Sequence, residues 1–174
     1  MTRYTEQQLD ALGELANIGS GTAGTALSTL IGRPVDISVP NVRAILVPIT
    51  RDLQGSALIV FPPEDAASLC RMLGADPAGE DGASALAEIG NILCSSYLVA
   101  LGEMLGMEIE PCPPETAWDM LGAIVATVLL GQGEPDDALL MDSELLVAGE
   151  SIGLEFMLLP LGQGIGDLLE RLGL

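Results

Sequence analysis

The chain of 174 residues has no histidine and no lysine, and its cationic side chains are six arginines set against 25 acidic residues, for a formal net charge of −19. Each absence excludes a chemistry. Without histidine there is no Ser-His-Asp triad and no histidine-ligated zinc site, and without lysine there is no P-loop lysine and no Schiff base. Six arginines cannot assemble the basic patch that a phosphate backbone demands, so nucleic acid is not an expected partner. The acidity itself reads as a solvated surface. Cysteine is scarce as well: Cys70, Cys94 and Cys112 are odd in number and lack C-x-x-C spacing, the pattern of buried thiols in a reducing compartment, and the cytoplasm is the expected location. No long apolar run is present. "MTRYTEQQLD" lacks the apolar core of a signal peptide, and "MLGAIVATVLLGQG" from Met120 is too short to span a bilayer, so no membrane insertion is expected.

What remains for chemistry is carboxylates, carboxamides, hydroxyls and the groups of a partner. With 49% hydrophobic and 18% charged residues, the chain is expected to fold as a single domain over residues 1–174, since so apolar a composition can bury a core.

The first helix is expected from Glu6, capped by Thr5, with Leu9, Leu12, Leu15, Gly19, Ala23, Ala26 and Leu30 on one face and Asp10, Glu14, Asn17, Gly21 and Ser28 on the other. "GRP" from Gly32 ends it. Strands are expected from "VDISV" to "AILVPI" and over "GSALIVF", adjacent and antiparallel, then a short proline-led helix over "PPEDAASLCRMLG". A long helix follows from about Ala83 to Leu105, then a strand at "MEIEP", a helix over "ETAWDMLGAIVATVLL", a hairpin turning near Gly149 to Gly153, and a short final helix. Helices and strands in this order predict an α+β fold on an antiparallel sheet.

Three glycines in "ELANIGSGTAGTALS", at Gly19, Gly21 and Gly24, each cost about 1 kcal/mol against alanine in a helix. Gly19 and Gly24 are expected in close internal packing; for Gly21, one turn after Asn17, two readings stand, a bare surface that a partner can approach and close internal packing as at the other two.

An internal repeat gives the polar face its meaning. Shifted by 74 residues, Ala11–Pro40 aligns without a gap on Ala85–Pro114, and nine of thirty positions are identical, three times or more what composition alone gives. The polar identities decide: Glu14 with Glu88 and Asn17 with Asn91. Residues i and i+3 share a helix face, so each pair presents a carboxylate beside a carboxamide. Such a pair occurring once is an ordinary solvated surface; occurring twice in register, it needs a further reason.

The doubled arrangement of Asp10 or Ser84, Glu14 or Glu88, Asn17 or Asn91, and Pro40 or Pro114 resembles the signature of the CheC/CheX/FliY phosphatases of bacterial and archaeal chemotaxis. "WDMLGAIVATVL" is similar to the family too. The resemblance implies a CheC-like fold in which two long pseudo-symmetric helices pack on the sheet, and an activity, dephosphorylation of the response regulator CheY. Both motifs are intact, unlike CheX, and the chain ends at Leu174 without the flagellar-switch domain usual in FliY, so CheC is the nearest family type. Thr22 stands where the family often has asparagine, outside the four signature positions. Partners implied are a phosphorylated CheY-type receiver domain and the receptor deamidase CheD.

A receiver already supplies phospho-aspartate, a divalent metal and a lysine, so a phosphatase need only orient a water. A carboxamide can do so, accepting through oxygen and donating through NH₂. Asn17 and Asn91 are the water-orienting candidates, and the resemblance assigns Glu14 and Glu88 to the receiver's lysine. No cofactor of its own is expected, because no His/Cys cluster exists and the acidic pairs do not converge on a cation cage; Mg²⁺ is expected on the receiver. The alternative is a non-catalytic adaptor of the same fold that binds CheD or the flagellar switch.

Overall fold

A computed structural model describes residues 6–35, 41–132 and 137–174. The chain divides into two compact units, 1–40 and 41–174, each taken here by itself. The Thr5 cap and most of the "VDISV" strand lie outside the described residues.

The first unit is helix α1, Glu6–Ile31. Gly32 ends it in the left-handed region at φ +72°, a conformation that costs a residue without Cβ little. Its N–H donates to the Ser28 carbonyl at 2.9 Å. The Ser28 Oγ accepts from the Val35 N–H at 2.7 Å and fastens the exit of the chain.

The second unit is built on an antiparallel sheet. Its strands are β1 (Asn41–Arg51), β2 (Gly55–Phe61), β3 (Ile109–Pro111), β4 (Glu115–Met120), β5 (Leu139–Val147) and β6 (Glu150–Pro160), ordered β3-β1-β2-β6-β5 with β4 also on β1. Every ladder is antiparallel, as expected for an α+β fold. The hairpin β5–β6 turns at Ala148 and Gly149, both with positive φ, a two-residue turn whose twist matches the strands.

Helices cover both faces. Alternate β1 residues Ile45, Val47 and Ile49 join Ile59, Phe61, Ile152 and Phe156 in the main core, closed by α2 (Pro63–Met72), α3 (Glu80–Leu105) and α5 (Gly164–Arg171). On the other face Ala44, Leu58 and Val60 pack with Ile124 of α4 (Leu121–Gln132). Where β2 stops, the Asp65 carboxylate of α2 accepts from the Gly153 N–H of β6 at 3.0 Å and takes over its place in the ladder.

One expected element differs. "ETAWDM", read as the start of a helix, is strand β4, paired with β1 from Asn41↔Met120 to Leu46↔Glu115, and only Leu121–Gln132 is helical. The helical spacing of Trp118, Leu121 and Ile124 is genuine, but six residues of backbone pairing decide the local conformation. Arg43 and Trp118 are cross-strand partners, with the guanidinium 3.8 Å from the ring centroid.

The repeat is visible in the backbone. α1 and α3 are both 26 residues long, their starts are 74 residues apart, and Gly106 repeats the left-handed cap of Gly32 at φ +63°. The strands β1 and β4 pair with each other, Ala44 opposite Ala117 and Arg43 opposite Trp118.

Candidate functional site

Helix α3 carries the second Glu/Asn pair. Gly82, Leu86, Gly90, Cys94, Leu98 and Gly102 are all buried, a residue at every fourth position, so one stripe of the helix lies on the sheet. Three of them are glycines because the backbone comes close there. A Cβ on Gly82 would meet the Asp76 carbonyl, one on Gly90 would lie 2.5 Å from Ile45 Cγ2, and one on Gly102 2.7 Å from the Met107 carbonyl. By length and composition α3 could cross a membrane; its apolar stripe belongs instead to the main core.

Polar contacts hold the helix in rotation. The Tyr97 ring packs 4.6 Å from that of Phe156, and its hydroxyl lies 3.3 Å from the Ser143 Oγ. The Cys70 thiol donates to the Gly82 carbonyl at 3.6 Å. At the far end Arg171 of α5 donates to the Leu105 carbonyl at 3.4 Å, where a cation also favours the helix dipole.

This anchoring turns the polar face away from the sheet. Glu88 and Ser84 are exposed, while Asn91 and Ser95 are half-buried. Glu88 and Asn91, one turn apart, present carboxylate and carboxamide together, and Gly90 between them is the point of closest approach to Ile45. On α1, Glu14 is exposed and Asn17 follows one turn later; the Asn17 side chain lies outside the described residues. Within the first unit Gly24 is buried, whereas Gly19 and Gly21 are exposed.

Two thiols are buried at α3, Cys94 on it and Cys70 against its Gly82. Burial pushes the Cys94 thiol up to about 12 and raises that of Cys70 as well, which keeps both protonated and unreactive. Cys112 is half-buried, in contrast to the expectation of three buried thiols. Among the described residues no group of three or more His, Cys, Asp or Glu is placed to hold a metal.

Two stretches of the chain, residues 8–43 and 82–117, match the CheC-like family, and their starts differ by the same 74 residues as the repeat. The Bacillus subtilis (strain 168) protein described as CheY-P phosphatase CheC is 33% identical over 152 residues, covering 72% of this chain and 73% of its own length. The flagellar motor switch phosphatase FliY of the same organism is 33% identical over 133 residues, 63% of this chain and 35% of that longer protein. Among solved structures, that of Thermotoga maritima FliY superposes with a TM-score of 0.57 at 21% identity, covering 99% of this chain and 98% of that one; it speaks for the fold alone. The chain belongs to the CheC-like family and has its α+β fold.

Proposed function

We propose that this protein is a phosphatase of a CheY-type response regulator, hydrolysing the receiver's phospho-aspartate. The observation that carries the proposal is the Glu88/Asn91 pair on the outward face of α3, in register with Glu14/Asn17 of the other family-matched stretch. The names of the relatives, CheY-P phosphatase CheC and flagellar motor switch phosphatase FliY, support the same reading.

In this mechanism Asn91, and Asn17 in the other copy, accepts a hydrogen bond from the attacking water and directs it in line with the phosphorus. Glu88 and Glu14 pair with the receiver's lysine and set the docking register. Hydrolysis needs no covalent intermediate on this chain, and the divalent metal, Mg²⁺, belongs to the receiver. Both copies serve one chemistry in a single cytoplasmic domain. The test is phosphate release from a phosphorylated CheY-type receiver with and without the protein: acceleration supports the reading, and an unchanged rate rejects it.

The FliY relation favours a second reading, an adaptor bound to the flagellar switch or to CheD without turnover. It predicts receiver or partner binding at an unaltered hydrolysis rate.

A further inference from the structure

The pair on α3 is aimed only as well as the helix is fixed against rolling about its own axis. The stripe that faces the sheet includes Gly82, Gly90 and Gly102, which let the helix come close but offer no side chain to interlock with a neighbour. Rotation must therefore be set beside the stripe.

Its two flanks differ. On one, Ile89, Leu93, Tyr97 and Leu101 recur at every fourth position and pack against the main core; on the other lie Asn91 and Ser95, polar and half-buried. Tyr97 and Asn91 stand three residues either side of the buried Cys94, so at about 100° per residue they lie about 60° to its two sides. A roll that lifts one lowers the other. Of the four packed side chains only the tyrosine can also make a hydrogen bond, and it does: its ring lies 4.6 Å from that of Phe156, buried on β6, and its hydroxyl is 3.3 Å from the Ser143 Oγ of β5. Apolar contacts tolerate sliding, whereas a hydrogen bond fixes a distance.

We infer that Tyr97 is a positioning residue for Asn91, and that its hydrogen bond with Ser143 sets the roll of α3 and hence the height at which the carboxamide meets the attacking water. The inference rests on the proposed phosphatase reading. A side-chain group about 6 Å from the helix axis moves about 1 Å for a roll of about 10°, and a misplacement of about 1 Å can cost about 100-fold in rate. The loss falls on turnover rather than affinity. Glu88, with one more rotatable bond than Asn91, can follow the receiver's lysine when the helix rolls.

The experiment uses the full chain carrying Asn17→Ala, so that the second pair alone supports turnover, with a phosphorylated CheY-type receiver for kinetics and the same receiver with Mg²⁺ and beryllofluoride for affinity. Tyr97→Phe and Ser143→Ala each break the hydrogen bond and keep the packing, so each is expected to lower kcat about three- to tenfold with Kd within about twofold. Combined, they should lower it no further than either alone, because both remove one bond, and Ser143→Thr, which keeps the hydroxyl, should retain the rate. Melting temperatures should fall by no more than about 5 °C, which leaves the assayed protein folded. If Tyr97→Phe and Ser143→Ala both keep kcat within twofold, or if Ser143→Thr loses as much as Ser143→Ala, the positioning inference is wrong and the phosphatase reading stands. If Asn17→Ala alone abolishes turnover, Asn91 orients no water, and the inference fails while the reading stands on the first pair. If the parent protein leaves phosphate release unchanged, the reading falls and the inference with it.

Discussion

Gly90 of α3 lies directly over Ile45 of β1, so close that a Cβ added to the glycine would sit 2.5 Å from Ile45 Cγ2 and 2.8 Å from its Cβ. The second distance matters more, since a Cβ is fixed by the backbone and cannot swing aside. This contact lies between Glu88 and Asn91, and it sets the height of both above the sheet.

Gly90→Ala should therefore destabilise the second unit. Overpacking costs about 1–3 kcal/mol, and the gain in helix propensity returns about 1 kcal/mol, so a net loss of up to about 2 kcal/mol in urea unfolding is expected. Turnover should fall too, because the helix must lift and carry Asn91 with it. A variant as stable and active as the parent would show that α3 tolerates displacement.

Gly21 gives the opposite test. It is exposed on α1, so Gly21→Ala should add up to about 1 kcal/mol of stability. If the bare surface exists for the approach of a partner backbone, the same change lowers receiver affinity. Stability gained with affinity unchanged would leave Gly21 without a role in docking.

Much of this was legible in the sequence because it depends on short-range rules. The extent of α1, its glycine stop, the proline start of α2 and the β5–β6 hairpin all follow from local chemistry, and the repeat located α3 and its Glu/Asn pair. Failures came where distant residues decide. Glu115–Met120 is a strand only because β1 offers it a ladder. Ala83 looked like the start of α3, whereas the helix begins at Glu80 after the uncapped Gly79.

The buried thiols fix an alkaline limit. An unfolded cysteine ionises near 9, whereas burial holds Cys94 neutral up to about 12. The stabilisation is thus complete below pH 9 and is lost as pH rises from 9 towards 12, by at most about 1.4 kcal/mol per pH unit. Cys94→Ala should flatten the fall in unfolding free energy over that interval, and parallel profiles for variant and parent would refute the assignment. In the native protein a thiol reagent should modify Cys112 first, with Cys70 and Cys94 reacting only on unfolding.

The sharpest prediction separates the members of each pair. Asn17→Ala and Asn91→Ala remove the water-orienting amide and little docking contact, so each should lower turnover while receiver affinity stays nearly constant. The double variant should lose about 100-fold or more, the scale for a preorganised polar group at the reacting atoms. Glu14→Ala and Glu88→Ala instead remove an exposed ion pair, which weakens binding about two- to fivefold, more at low salt where screening is weak. Kinetics at two ionic strengths distinguish the classes: the glutamate effect shrinks with salt and the asparagine effect does not. If one asparagine variant accounts for nearly all the loss, only that copy is active and the other retains the fold of the site without its use. A double asparagine variant with near-normal phosphatase activity would mean that the water is positioned by another group, and the mechanism proposed for both copies fails.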